Sequence, residues 1–145
     1  EFWDGPVALA GAINDGHAIR AAEVLGADMA YMGTRFIATQ EARVDPQYKD
    51  MLVESDVSDI VYTDYFTGVN CNYLKASIEK EGIDMDAVAG KKEVDLDLGS
   101  TKSWKDVWSA GHGTAGISSI PAMKDLVDEL KSEYRQALEK PGFVN

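Results

Sequence analysis

The first third of the chain alternates short apolar runs with one stretch of helical spacing. Residues 7–10, Val-Ala-Leu-Ala, form a continuous apolar run between glycines, which is typical of a strand covered on both faces. Residues 29–32 form a second apolar run. Between the runs, apolar residues recur at helical spacing over 18–25, with Asp15 as the predicted N-cap and Gly26 as the residue that ends the helix. The pattern predicts a βαβ unit with parallel strands and a right-handed crossover.

The middle of the chain has a less regular pattern. It predicts a helix over residues 48–53, an extended segment over 59–68, and a second helix over 72–82 that ends at a glycine. Residues 84–103 are acidic and punctuated by glycine, which predicts a surface loop.

A long amphipathic helix is predicted near the C-terminus. Ser118 or Ser119 is expected to cap it, and Pro121 is tolerated in a first helical turn. An apolar stripe at a spacing of three to four residues is expected to pack against the core. The stripe consists of Ile120, Met123, Leu126, Val127, Leu130, Tyr134 and Leu138.

The segment "GHGTAG", residues 111–116, matches the G-x-G-x-x-G pattern of dinucleotide-binding enzymes. That site needs a strand before the motif, and a helix and a second parallel strand after it. The preceding "KSWKDVWSA" is a poor strand, and no strand follows the C-terminal helix. We therefore do not expect dinucleotide binding here, but we expect the glycines to permit a close approach to another group.

Two glycine-containing loops are better candidates for a phosphate site. "AGAINDG" and "MGTRF" each follow a predicted parallel strand, so their free N–H groups are expected at the same sheet edge. Gly11 and Gly33 allow an anion to approach the main chain, and Thr34 can add a hydroxyl donor. The helix that starts near Gly16 is expected to add the positive end of its dipole. Arg35 could pair with the anion or point outward into a salt bridge, and the loops could also be tight turns without a ligand.

Composition and net charge indicate the type of fold, the partners and the compartment to expect. A chain of 145 residues with 45% hydrophobic and 27% charged residues is expected to form one globular structural unit. The net charge of −11 argues against nucleic-acid and anionic membrane surfaces as partners. The single cysteine, Cys71, cannot form an internal disulfide. This fits a reducing compartment, so we expect a cytoplasmic protein.

Three aspartates and the cysteine are weak candidates for a metal site and for a catalytic nucleophile, respectively. Asp56, Asp59 and Asp64 lack the glycine and glutamate placement of a calcium loop, so we expect a solvated acidic surface and no metal site. Cys71 has no histidine beside it in sequence, which gives a nucleophilic role little support.

The segment "GPVALAGAINDGHAIRAAEVLGADMAYMGTRFIATQEA" resembles the flavin-phosphate segment of the nitronate monooxygenase family. The likeness continues through "YKDMLV", "NYLKASIEKEGID" and "WKDVWSAGHGTAGI" and is most specific in "GADMAYMGTRFIAT". The resemblance implies an FMN-binding TIM barrel that oxidises alkyl nitronates with oxygen. Flavin-dependent enoyl-acyl carrier protein reductases, which share the "MGTRF" stretch, are close relatives of that family.

The resemblance implies an α/β fold that forms the C-terminal portion of a (β/α)₈ barrel with an inserted α/β lobe. Residues 1–43 would hold the last βαβ unit with the FMN-phosphate loops. Residues 44–110 would form the lobe, and residues 111–145 would form the glycine loop and the closing helix of the same structural unit.

The family's motifs also identify candidate site residues. Gly11 and Ala12 stand where the family has a Gly-Gly pair, and Gly33 and Thr34 stand in its second phosphate loop. Ala12 departs from the usual glycine, which matters if the position needs a positive φ. His112 stands where the family commonly has Gln, so it is a candidate residue near the flavin, although an exposed loop histidine is an alternative.

In the family, a catalytic histidine lies upstream of the strand that precedes the Gly-Gly pair. Its counterpart is therefore expected outside this sequence. We therefore expect either a homo-oligomer or a missing N-terminal barrel half as a partner, and a small molecule as the substrate. Three hypotheses follow: part of an FMN-dependent nitronate monooxygenase, an enoyl-acyl carrier protein reductase-like protein, and a non-catalytic partial-barrel module for assembly or interaction.

Overall fold

The computed structural model describes residues 3–89 and 103–140 and shows a mixed α/β chain with two small sheets. The strands are β1 (Ala8–Ala10), β2 (Met29–Tyr31), β3 (Ile60–Thr63) and β4 (Cys71–Leu74). The helices are α1 (Gly16–Val24), α2 (Thr34–Ile37), α3 (Pro46–Glu54), α4 (Lys75–Lys80), α5 (Met85–Ala89), α6 (Ser103–Asp106) and α7 (Met123–Glu139). Two 3₁₀ turns cover Val57–Asp59 and His112–Gly116.

The predicted βαβ unit is confirmed. Strands β1 and β2 pair in parallel, with Ala8 opposite Met29. The Asp15 carboxylate accepts a 2.6 Å hydrogen bond from the main-chain N–H of Ala18 and so caps α1. Gly26 follows the helix at φ +95°, a conformation that costs glycine little.

Helix α7 packs along α1, as the apolar stripe predicts for Leu126 and Leu130, which are buried. Its start differs from the prediction. The helix begins at Met123, after Pro121, and no hydroxyl from Ser118 or Ser119 caps it. Instead, the Glu41 carboxylate accepts the Met123 N–H at 2.8 Å, so a residue distant in sequence satisfies the first turn.

The second sheet corrects the predicted helix over residues 72–82. Residues 72–74 belong to β4, which pairs antiparallel with β3, and only Lys75–Lys80 are helical. Tyr73 is completely buried there against Phe66, with their ring centroids 4.8 Å apart. Pairing with a distant strand therefore outweighs the local helical pattern at these positions.

Part of the loop predicted over residues 84–103 is helical, because α5 covers Met85–Ala89 and α6 starts at Ser103. Residues 90–102 lie outside the described residues. The helix predicted over 48–53 is present in α3. Its Tyr48 ring stacks on Trp108 at a centroid distance of 5.0 Å, which joins α3 to the chain that leads into the glycine loop.

The first sheet has large apolar side chains at its surface. Met29 is 54% exposed and Tyr31 69% exposed, and Val7 and Leu9 at β1 are also exposed. Parallel sheets are normally covered on both faces, so this one lacks part of its cover. No helix within the described ranges 3–89 and 103–140 is both long and apolar enough to cross a bilayer.

Candidate functional site

Three segments that are distant in sequence converge on one cleft of about 170 Å³ at the end of the first sheet. They are the loop after β1, the turn from β2 into α2, and the glycine loop. The residues that line the cleft are Ala10, Gly11, Ala12, Ile13, Asn14, Tyr31, Gly33, Thr34, Arg35, Gly111 and Gly113. All four residues with the predicted phosphate-binding role, Gly11, Ala12, Gly33 and Thr34, are therefore in one place.

The loop after β1 has an unusual backbone. Gly11 adopts φ +95° and Ala12 adopts φ +54°, both in the left-handed region. Gly11 tolerates this conformation, whereas the Ala12 side chain makes it unfavourable by about 1–2 kcal/mol. The departure from glycine that the resemblance implies at residue 12 thus falls at a position that adopts a positive φ.

The main chain at the cleft has free hydrogen-bonding capacity. In the part of the chain that the structure describes, the N–H groups of Ala12 and Gly33 make no hydrogen bond to a protein acceptor. The Gly11 N–H, in contrast, faces the Tyr31 carbonyl in the parallel pairing of β1 with β2. The N–H of Thr34 lies in the first turn of α2, where helices have no internal acceptor. A side chain at Gly33 would meet open space. The N–H groups of Ala12, Gly33 and Thr34 can therefore donate to an anion in the cleft.

The segment "GHGTAG" forms a 3₁₀ turn, and no parallel strand precedes it in the described chain. It closes one side of the cleft. The Asn14 side-chain amide donates to the Gly113 carbonyl at 3.0 Å. A Cβ at Gly116 would collide with the Asn14 amide. The close approach predicted for these glycines is thus to the loop after β1.

The N-terminus of α1 does not serve as the free dipole end that the sequence predicts. The Gly16 N–H donates to the Glu133 carboxylate at 2.8 Å, and Asp15 accepts the N–H of Ala18. Gly16 is also buried under α7, where an added Cβ would meet the Leu130 carbonyl. Two carboxylates therefore already satisfy this helix end, and Gly16 is absent from the lining of the cleft.

Arg35 is buried at 6% exposure and lines the cleft. Its Nη2 lies 3.5 Å from Oε2 of Glu129 on α7. Its Nη1 is buried and finds no hydrogen-bond partner among the described residues. The sequence left two roles open for Arg35, pairing with an anion or forming a salt bridge. The salt bridge is present, but it involves only Nη2 of the guanidinium.

The remaining candidates lie apart from the cleft lining. His112 is exposed, and only its neighbours Gly111 and Gly113 line the cleft. Asp56 caps the short turn that follows it, and hydrogen bonds from Ser58 lower the pKa of its carboxyl. In residues 3–89 and 103–140, no group of three or more His, Cys, Asp or Glu side chains is placed to hold a metal.

Sequence reasoning did not single out Asn14 or Glu133 as residues of the site. Asn14 contacts Gly113, which is 99 residues away in sequence, and Gly16 contacts Glu133, which is 117 residues away. No periodicity or short motif connects residues that far apart. Only Gly111 and Gly113 had a local signal, because the glycine-rich pattern predicts a close approach to some group.

Comparisons with known proteins show similarity to one enzyme family. The family model for nitronate monooxygenase matches residues 3–133. Probable nitronate monooxygenases of Staphylococcus haemolyticus strain JCSC1435 and Staphylococcus aureus strain JH9 are each 33% identical over 82 residues, which is 53% of this chain and 23% of theirs.

Two solved structures are similar over nearly the whole chain. Nitroalkane oxidase from Streptomyces ansochromogenes is 25% identical with a TM-score of 0.74, over 94% of this chain and 41% of its own. The M276A mutant of FabK from Thermotoga maritima is 28% identical with a TM-score of 0.70, over 92% of this chain and 43% of its own. The chain thus spans less than half of these TIM-barrel enzymes. The likeness supports the flavin-dependent oxidoreductase class that the sequence resembles.

Proposed function

The chain belongs to the nitronate monooxygenase family, and from this premise we propose that it is the phosphate-binding, C-terminal portion of an FMN-dependent oxidoreductase. The observation that supports the proposal most directly is the convergence of two glycine-containing loops on one cleft with unused main-chain donors. The phosphate of FMN would be held at Gly11, Ala12, Gly33 and Thr34, with the N–H groups of Ala12, Gly33 and Thr34 as donors and Gly11 allowing a close approach.

The chemistry of the donors fits a phosphate. Main-chain N–H groups at glycine-containing turns bind anions because no Cβ keeps the ligand at a distance. The Thr34 hydroxyl accepts the Gly111 N–H at 2.9 Å, which leaves its own proton free to donate to a phosphate oxygen. Charge-assisted hydrogen bonds of this kind are stronger than neutral ones.

In the complete enzyme, bound FMN would supply the redox chemistry, taking electrons from an alkyl nitronate and passing them to oxygen. This chain would contribute orientation and electrostatics, because cofactor enzymes leave the bond-making chemistry to the cofactor. His112 is proposed to reach the flavin from the glycine loop and to donate a hydrogen bond there. The residue that abstracts a substrate proton would come from another part of the barrel.

The exposed sheet supports the proposal that other strands complete it. Strands β1 and β2 form a parallel pair of three residues each, and a two-stranded sheet is marginal without further cover. An apolar groove of about 880 Å³ runs beside β2, between Tyr31 and Phe36 on one side and Val127 and Leu138 on the other. We propose that the remaining (β/α)₈ strands cover these surfaces, supplied upstream in the same polypeptide or by a partner chain. Homo-oligomerisation is the alternative.

The first experiment is an absorbance spectrum of the purified protein, followed by titration with FMN monitored by flavin fluorescence. We expect saturable binding near one FMN per chain. Gly33→Glu should abolish it, because the side chain enters open space at the cleft and places a carboxylate beside the phosphate. Gln40→Glu adds the same charge at an exposed position and is the matched control. No binding by the wild-type chain would contradict the proposed site.

Turnover assays with different substrates identify which class of reaction the complete enzyme performs. We expect oxygen consumption with an alkyl nitronate when the chain is supplied with the rest of the barrel, and the likeness to nitroalkane oxidase favours this outcome. Nicotinamide-dependent reduction of an enoyl thioester would identify the reductase-like alternative instead. Assembly with barrel strands, without FMN binding, would identify a non-catalytic module.

A further inference from the structure

We propose that Arg35 is the residue that makes the cleft select a phosphate dianion, so that phosphorylated flavin binds in preference to unphosphorylated riboflavin. This inference rests on the proposed FMN site and extends it to a specificity-determining side chain. Arg35 lines the cleft with the phosphate-loop residues Gly11, Gly33 and Thr34. Its guanidinium provides the one full positive charge among the residues that line the described cleft.

The burial of Arg35 needs a compensating charge. A buried guanidinium is costly unless it is paired and its N–H groups are hydrogen-bonded. Arg35 is only 6% exposed, and Nη1 has no acceptor within the described chain. An anion in the adjoining cleft would supply the missing negative charge. Its binding would therefore offset the free-energy cost of burying the guanidinium, which the ligand-free protein retains.

Glu129 supplies only part of that charge. Its carboxylate lies 3.5 Å from Nη2 and is 56% exposed, so solvent screens the pair. The guanidinium presents five N–H donors in a planar fork suited to phosphate oxygens. One contact of 3.5 Å to a solvated carboxylate leaves Nη1 without an acceptor in the described chain.

A purely structural role makes a different prediction. If Arg35 only ties α2 to α7, then removing Glu129 should have the same effect as removing Arg35. If Arg35 acts on the ligand, Glu129→Gln should maintain or strengthen the preference for the phosphorylated ligand, because it removes a competing negative charge. The two single variants therefore separate the two roles.

The experiment measures Kd for FMN and for riboflavin by flavin fluorescence with the wild type, Arg35→Met, Arg35→Lys and Glu129→Gln. We expect Arg35→Met to weaken FMN binding about tenfold or more while riboflavin binding stays unchanged. Arg35→Lys should retain part of the preference, because it keeps the charge without the fork. Glu129→Gln should retain all of it. Arg43→Met, at an exposed arginine outside the cleft lining, is the control.

Equal loss of FMN and riboflavin binding in Arg35→Met, or an unchanged ratio, would overturn the inference. The inference would also be overturned if Glu129→Gln loses the preference for FMN over riboflavin as strongly as Arg35→Met does. A second measurement keeps Arg35 testable if the wild type binds no flavin, which contradicts the proposed function alone. Inorganic phosphate should raise the Tm of the wild type and of Glu129→Gln but not of Arg35→Met, and an equal rise in all three would also overturn the inference.

Discussion

The main-chain N–H of Gly111 donates a 2.9 Å hydrogen bond to the side-chain hydroxyl of Thr34, across 77 positions of sequence. This bond joins the glycine loop to the turn from β2 into α2 and fixes the position of the Thr34 oxygen at the cleft. One hydroxyl thus accepts from the protein while its proton remains available to a ligand.

Thr34→Val should therefore weaken both folding and ligand binding. The Gly111 N–H loses its acceptor, which we expect to lower the free energy of unfolding by about 1–2 kcal/mol. Affinity for FMN should fall about tenfold through loss of the hydroxyl donor. Urea unfolding and flavin fluorescence measure the two effects. Thr34→Ser should preserve both quantities, and Thr67→Val is a control at a site away from the cleft. Unchanged affinity in Thr34→Val would show that the hydroxyl does not contact the ligand.

Ala12→Gly should stabilise the protein. Ala12 adopts φ +54°, where a Cβ costs about 1–2 kcal/mol, whereas glycine loses roughly 0.5–1 kcal/mol more entropy on folding. We expect a net gain of about 0.5–1 kcal/mol in the free energy of unfolding, measured with urea. Ala21→Gly in the exposed face of α1 is the matched control and should destabilise by about 1 kcal/mol. If both variants lose stability equally, the positive φ at residue 12 imposes no strain.

Gly16→Ala should destabilise the protein although alanine is the better helix former. Its Cβ would collide with the main chain of α7 at the Leu130 carbonyl and the Tyr134 N–H. We expect a loss of about 2–3 kcal/mol from this overpacking, seen as a lower Tm in calorimetry. His17→Ala, at the next and exposed position, should change the Tm little. A higher Tm in Gly16→Ala would mean that α7 moves aside without cost.

Tyr48 should make stability depend on pH in alkaline solution. Burial raises the pKa of its hydroxyl from 10.0 to about 12, so folding favours the neutral phenol. That stabilisation is complete below the unfolded pKa near 10 and is lost as pH rises through the folded pKa. We expect a decrease of roughly 2 kcal/mol in the free energy of unfolding between pH 10 and 12 from this group.

Tyr48→Phe tests this pH dependence by urea unfolding at a series of alkaline pH values. At pH 7 the variant should be about 1 kcal/mol less stable, because the Ser109 carbonyl loses the hydrogen bond that the Tyr48 hydroxyl donates. Above pH 10 its stability should decrease less than that of the wild type, and the two curves should cross before pH 12, because the expected loss from Tyr48 exceeds the initial difference. Parallel curves would rule out Tyr48 as the titrating group.

Prediction from sequence succeeded where the structure depends on neighbouring residues. The Asp15 cap of α1, the positive φ of Gly26 and the parallel pairing of β1 with β2 all follow from local patterns. The pattern was misleading where a distant partner decides the conformation. Residues 72–74 pair with β3 instead of extending α4, and Glu41 rather than a nearby serine accepts the first N–H of α7.

For the site, the sequence alone determined which two loops follow the parallel strands and that they contain Gly11, Ala12, Gly33 and Thr34 at one sheet edge. Apolar runs and glycines act through the local backbone, so they can be interpreted in sequence order. The fold in three dimensions was needed to show that the glycine loop closes the cleft and that Arg35 is buried beside it, with an Nη1 that has no partner in the described chain. Those outcomes depend on contacts between segments far apart in sequence, where burial and hydrogen-bond partners are determined by packing and no local pattern specifies them.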